Sequence, residues 1–179
     1  MTRIRPLAIA AVLASALLTA GPALAGPPLL CFPFDIGAAR SLPMGTGGWR
    51  ATDSGYNVSH LVDDTMALLT ASTPVLVRME TIRRATIYAS TNGDVAEALL
   101  HAFQARASVP SADVPLAVFD FGYLVETYRE AKFMFKTPLA AVDRIDGYQL
   151  VLKARAMARN DEMARAAQLI VDGQPRGTK

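Results

Sequence analysis

The sequence predicts an all-α fold of five or six helices, arranged as antiparallel hairpins and preceded by an irregular arm rich in proline and glycine. Two observations lead to this prediction. From residue 57 onward, apolar residues recur at intervals of three and four, the period of a helix with one buried face. Capping residues, prolines and glycines divide this pattern into segments of helical length, and no segment alternates apolar and polar residues as a half-buried strand does.

The first 25 residues have the pattern of a secretory signal peptide. Arg3 and Arg5 supply a positive start, residues 7–20 form an apolar run, and residues 23–25 read Ala-Leu-Ala, the small-x-small pattern of a cleavage site. The apolar run is too short to span a bilayer, so no stable membrane anchor is expected after cleavage near Ala25. The sequence therefore predicts a periplasmic or extracellular protein.

Charge and length restrict the function further. The chain has 18 Lys and Arg residues against 16 Asp and Glu residues, and two of the basic residues lie in the predicted leader. The exported part is therefore close to neutral, so it has no charge excess that would attract nucleic acid. The 154 residues after position 25 of the 179-residue chain suffice for one domain with a hydrophobic core.

Residues 26–56 form the predicted arm, because prolines and the glycine-rich run at residues 45–48 disfavour regular structure there. The segment also holds several large apolar residues, including Trp49, the only tryptophan. We expect the arm to lie along the helices; alternatively, its aromatic side chains are exposed for a partner. Cys31 is the only cysteine, so no internal disulfide can form. It is either a small buried residue or a thiol available for an intermolecular disulfide, a redox partner or a thioether-linked group.

Residues 57–172 form the predicted helical domain. The first helix is expected near residues 59–71, with Ser59 as its cap. The second helix is expected after Thr73 and Pro74, which supply a hydroxyl cap and a proline at the first helical position.

A turn at residues 91–93 separates the second helix from the third. Asp94 and Glu97, three residues apart, form an acidic variant of the capping box at the predicted start of the third helix. A series of apolar residues at helical spacing follows them: Ala96, Leu99, Leu100, Phe103 and Ala107. The second and third helices are therefore predicted to form a hairpin.

The second half of the domain contains the fourth helix, which begins at Pro115, and a final pair at residues 146–159 and 161–171. Gly122 lies in the middle of the fourth helix, where glycine costs about 1 kcal/mol of helix propensity. This cost is reasonable if the backbone of another helix crosses closely at that point. A flexible tail is expected at residues 173–179.

Small residues in the helix pairs follow part of the spacing of the tetratricopeptide repeat. In the last pair, Ala154, Met157 and Ala166 match the first small residue, the large residue three positions later and the alanine of the second helix. The earlier pair departs from the pattern at Glu97, which stands where alanine is expected. Over residues 73–172 the chain thus resembles a degenerate tetratricopeptide array. The resemblance implies stacked hairpins whose concave face binds a peptide or protein; a compact bundle is the alternative.

Two histidines each lie four residues from a carboxylate on a predicted helix, His60 with Asp64 and His101 with Glu97. Residues at this spacing share a helix face, and if the two faces met they would offer four nitrogen and oxygen ligands of the kind zinc accepts. Alternatively, Glu97 caps its own helix and both imidazoles are ordinary surface groups. No catalytic residue and no cofactor are predicted.

Arg78, Arg83 and Arg84 form a small basic patch beside Glu80. Charges in such a pattern usually solvate the outer face of a helix. A recessed cluster would instead recognise a carboxylate or phosphate, because the guanidinium fork matches those groups.

The sequence therefore favours a non-catalytic interaction or assembly module with a protein or peptide partner. The residues predicted to contact the partner are Cys31, Trp49, Tyr88, Tyr123 and Tyr128, and the tyrosines are expected to rim a groove. Two alternatives remain open: a metal-dependent enzyme or binder that uses the histidine–carboxylate cluster, and a structural dimer linked through Cys31.

Overall fold

The computed structural model describes residues 29–136 and 140–173. The predicted leader at residues 1–25 and all but the first residue of the predicted tail lie outside this part of the chain. None of the helices in the described part combines the length and the apolar character needed to cross a membrane.

The described residues form six α-helices and no strand, which confirms the predicted all-α fold. The helices, in chain order, are α1 (Leu61–Leu68), α2 (Val75–Ala89), α3 (Gly93–Ser108), α4 (Val114–Phe135), α5 (Gly147–Met157) and α6 (Asp161–Gly173). Short 3₁₀ turns at Val58–His60 and Ala140–Arg144 precede α1 and α5. The three-residue connections at 90–92 and 158–160 are short enough to bring the helices they join back alongside each other.

The helix starts differ in detail from the sequence prediction. Asn92, not Asp94, caps α3, because its side chain accepts hydrogen bonds from the backbone N–H groups of Asp94 and Val95. Thr73 does not cap α2; its hydroxyl donates to the carbonyl oxygen of Leu68 at 2.8 Å and so caps the end of α1. The chain therefore turns sharply after α1, which ends three residues earlier than predicted.

The longest helix, α4, lies at the centre of the domain and contacts α2, α3, α5 and α6. Its closest neighbour is α5, and Gly122 makes this approach possible. A Cβ atom on Gly122 would lie 2.6 Å from the carbonyl oxygen of Gly147, well inside contact distance. The predicted close crossing of another helix backbone at Gly122 is confirmed.

The segment before the helices, residues 29–56, has turns and bends and no helix; we refer to it as the arm. Leu29, Leu30 and Leu42 are buried in the domain, whereas Phe32 is 60% exposed. Leu30 packs with Ile87 of α2 and Ala131 of α4. The arm is thus part of the packed domain over the residues described.

Candidate functional site

Three charged side chains of α2 are buried. Arg78 and Glu80 have no exposed surface, and Arg83 is 1% exposed. The prediction that these charges solvate an outer helix face is wrong, because the arm and α4 cover this side of α2. A buried charge must be paired, and each of these side chains has a charged partner.

Glu80 is the centre of the first charged group. Its carboxylate accepts hydrogen bonds from Arg83 Nε at 2.7 Å, Arg83 Nη2 at 2.9 Å and Arg84 Nε at 2.7 Å. The backbone N–H of Phe34 in the arm also donates to it, at 3.0 Å. Burial by itself raises the pKa of Glu80, but the hydrogen bonds from the two arginines outweigh burial and leave this pKa below its usual value.

The two arginines extend from Glu80 to main-chain carbonyl groups of the arm. Arg83 Nη1 donates to the carbonyl oxygens of Leu30 at 2.9 Å and Trp49 at 3.0 Å. Arg84 Nη1 donates to the carbonyl oxygen of Leu42 at 2.6 Å. With the bond from Phe34 to Glu80, this ionic group on α2 therefore fixes four separate points of the arm.

Two further side chains hold the arm by its main chain. The carboxylate of Glu130, on α4, accepts the N–H groups of Leu29 at 2.6 Å and Leu30 at 3.3 Å. The hydroxyl of Tyr88 donates to the carbonyl oxygen of Pro43 at 2.8 Å and accepts the N–H of Asp53 at 2.9 Å. The helices thus hold the arm mainly through its backbone.

The anchored arm forms one wall of a groove with a volume of about 660 Å³. Arm residues 39–43 make this wall, and the opposite wall comes from α1 and the loop that joins α1 to α2. Ala67 on α1 lies exposed in the groove. A volume of this size is typical of sites that bind small molecules or short segments of chain.

Hydroxyl groups dominate the polar lining of the groove. Thr70, Ser72 and Thr73 of the α1–α2 loop hydrogen-bond with one another through their side chains. At the other end, Tyr56 donates to Asp64 Oδ2 at 2.7 Å, and its ring packs against Tyr88 with the centroids 4.8 Å apart. These contacts fix the lining side chains in place.

The arm wall offers backbone groups that the domain does not use. Within the described residues, no hydrogen bond involves the N–H or the carbonyl oxygen of Arg40 or Ser41. The side chain of Ser41 is held by Thr81, with the two hydroxyl oxygens 3.0 Å apart. This stretch of main chain is therefore fixed in position and still free to pair.

A second charged group lies beneath the loop of the groove. Arg78 bonds to Asp120 of α4 through Nη1, and it donates to the carbonyl oxygens of Thr73, at 3.1 Å from Nε, and of Thr70. Burial raises the pKa of Asp120 to about 6, against the opposing effect of Arg78 and Arg106. Arg78 thus connects a buried carboxyl group to the groove.

The four predicted metal ligands do not form a site. No group of three His, Cys, Asp or Glu side chains in the described part of the chain could hold a metal ion. Glu97 and His101 are 64% and 65% exposed and 3.9 Å apart, His60 is exposed at the start of α1, and Asp64 is bonded to Tyr56. The α3 pair faces solvent because this helix buries the opposite face, with Ala96, Leu99, Leu100 and Phe103.

The predicted contact residues lie mostly in the interior. Tyr88, Tyr123 and Tyr128 are at most 2% exposed, so they cannot rim a surface groove. Trp49 is half-buried against Phe135, with the ring centroids 6.0 Å apart. Cys31 is half-buried, and burial, followed by the nearby charge of Glu130, raises the pKa of its thiol.

The sequence does contain a signal for the buried charges of α2. Apolar residues occupy several faces of this helix, at Val75, Val77, Met79, Ile82 and Ala85, so no wide face is left for solvent. Charged residues within such a helix are buried and must have partners. The groove has no comparable signal, because it forms between segments that are distant in the sequence.

No protein-family model, curated protein or solved structure matches this chain. The groove and the groups that build its walls are therefore the basis on which its function is inferred.

Proposed function

We propose that this protein is a non-catalytic interaction module that binds an extended peptide segment of a partner protein in the groove between the arm and the α1–α2 pair. The observation that carries the proposal is the fixed stretch of arm at Arg40 and Ser41, whose backbone groups face no partner within the described residues. An extended peptide can pair with such a stretch through its own main chain, as peptides do when they add to an exposed strand edge.

The anchoring of the arm favours binding of this kind. Leu42 and Pro43, directly after the proposed pairing stretch, are fixed by Arg84 and Tyr88 through their carbonyl groups. A wall that is already ordered loses little conformational entropy when a ligand binds. Affinity would then come from main-chain hydrogen bonds, and specificity from the side chains that enter the groove.

The lining of the groove indicates the character of the bound peptide. The hydroxyl groups of the α1–α2 loop, with Tyr56 of the arm and Asp64 of α1, supply polar surface, and Leu68, Pro74 and Val77 add apolar surface. A segment that alternates small polar and apolar side chains fits these two kinds of surface. Export through the predicted leader would place this binding event in the periplasm or outside the cell.

The proposal can be tested with a random-peptide library displayed on phage and selected on the purified protein. Ala67, exposed in the groove, is replaced by tryptophan to fill it. Ala105, exposed on α3, is replaced in the same way as the matched control, because it does not line the groove. The expected result is that Ala67→Trp weakens binding of the selected peptides at least about tenfold, or about 1.4 kcal/mol, whereas Ala105→Trp does not. Equal affinities for the two variants would contradict the proposal.

A further inference from the structure

The buried carboxyl group of Asp120 lies among charged groups from three parts of the chain. Arg78 of α2 bonds to its Oδ2 atom, and Nη1 of Arg106, on α3, lies 3.6 Å from the same oxygen. Asp113, just before α4, pairs with Arg106 Nη2 at 3.3 Å, and its negative charge raises the pKa of Asp120. Asp120 Oδ1 and Arg106 Nη1 are buried and have no hydrogen-bond partner within the described residues.

Arg78 joins this charged group to the groove. Its guanidinium donates to the carbonyl oxygens of Thr70 and Thr73, the two ends of the loop that forms part of the groove wall. Asp120 is the carboxylate that bonds directly to this guanidinium. The position of the loop therefore depends on an ion pair in the interior of the domain.

We infer that protonation of Asp120 releases Arg78 and loosens the loop at residues 70–73, so that the groove is ordered at neutral pH and open in acid. The inference concerns regulation of the proposed peptide site, and only its consequence for peptide affinity rests on the proposed function.

The charges around Asp120 support this direction. Loss of the carboxylate charge would leave Arg78 and Arg106 close together without their shared counter-ion, and arginine does not lose its own proton in this range. Arg78 lowers the pKa of Asp120 while the two are in contact. Burial, the largest influence on this pKa, is unchanged while Asp120 stays in the interior, so movement of Arg78 alone raises the pKa, and by linkage the uptake of a proton favours the open loop. The pKa of about 6 places the change near neutral pH.

The inference is tested by NMR on protein purified after expression of the full-length chain, without any peptide. The carboxyl carbon of Asp120 and the amide groups of Thr70 and Thr73 are followed from about pH 4 to about pH 8, across the range in which the carboxyl titrates. The expected result is a common midpoint near the pKa of Asp120. Amide exchange protection in the loop should fall by about tenfold or more below that midpoint, since an arginine neighbour shifts a carboxyl pKa by a unit or more.

Three variants make the test specific. Asp120→Asn should abolish the transition of the loop amides, and Arg106→Gln should move the midpoint to higher pH, because Arg106 lowers the pKa of Asp120. Asp63→Asn, at an exposed carboxylate on α1, should change neither. If Asp120→Asn does not fold, the wild-type and Arg106→Gln titrations decide the matter. Loop amides that stay constant while Asp120 titrates, or an unchanged midpoint in Arg106→Gln, would overturn the inference.

Peptide binding tests the proposed function independently of the loop titration. A selected peptide should bind more weakly at pH 5 than at pH 7.5, by about the same factor as the loss of loop protection. If no peptide binds at either pH, the proposed function fails, while the loop titration still decides whether Asp120 controls the loop.

Discussion

Replacing Glu80 by alanine tests how the arm is held in place. The substitution removes the acceptor for two nitrogen atoms of Arg83 and one of Arg84, at distances of 2.7 to 2.9 Å. Arg83 is then left buried without a counter-ion, and breaking a buried ion pair in this way costs about 3–5 kcal/mol. This is a large part of the roughly 5–15 kcal/mol that stabilises a typical domain. We therefore expect Glu80→Ala to fold marginally and to release the arm.

The measurement is a urea titration followed by far-UV circular dichroism, with amide exchange at Phe34 as a local report on the arm. Glu97→Ala is the matched control, because this glutamate is 64% exposed and, among the residues that the structure describes, its ion-pair contact is His101 at 3.9 Å. The control substitution should lower the free energy of unfolding by less than about 0.5 kcal/mol. If Glu80→Ala lowers the free energy of unfolding by less than about 1 kcal/mol and the amide of Phe34 stays protected from exchange, then Glu80 does not hold the arm in place.

Three further predictions follow from other features of the fold. Gly122→Ala should lower the free energy of unfolding by about 2 kcal/mol despite the better helix propensity of alanine, because the new Cβ atom would clash with the carbonyl group of Gly147. Gly93→Ala, which places its Cβ in open space, should be neutral or stabilising in the same urea titration. The pKa of Asp120 in the folded state is about 6, above its usual value, so as pH rises from about 4 to about 6 the carboxyl group loses its proton first in the unfolded state. The contribution of Asp120 to the free energy of unfolding therefore falls over this range, by about 3 kcal/mol. Asp120→Asn should remove this pH dependence, measured by denaturation series at the two ends of the range. Cys31 should react with iodoacetamide more slowly than free cysteine at neutral pH because its thiol pKa is raised, and a rate equal to that of free cysteine would contradict its placement; non-reducing electrophoresis of wild type and Cys31→Ser tests the dimer alternative.

Local sequence signals were sufficient to predict the helices and one packing contact between them. Helical spacing and turn residues predicted five or six helices, and the described residues form six, because such signals act within a few residues. The position of Gly122 predicted a helix crossing, because glycine destabilises a helix unless a close packing contact compensates for it. Errors occurred at the caps, where Asn92 and Asp94 both suit the role and the backbone geometry decides between them.

The candidate site could not be predicted in the same way. The groove requires the arm to lie beside α1 and α2, and the hydrogen bond between Leu42 and Arg84 joins residues 42 positions apart. Helical spacing places His60 with Asp64 and His101 with Glu97 on shared helix faces. It does not indicate whether these faces point toward each other or toward solvent. The sequence does not distinguish buried from exposed tyrosines, because aromatic residues serve both cores and binding sites, and only the packing of α2 and α4 shows that these three are buried.

The most direct test of the account is an NMR measurement of the amide groups of Arg40 and Ser41 with and without a peptide selected on the protein. If the peptide pairs with the arm, these two amides shift and gain exchange protection on binding, and a peptide N-methylated along its backbone loses affinity. If the peptide binds and these amides do not change while others on a different face do, main-chain pairing in the groove is contradicted.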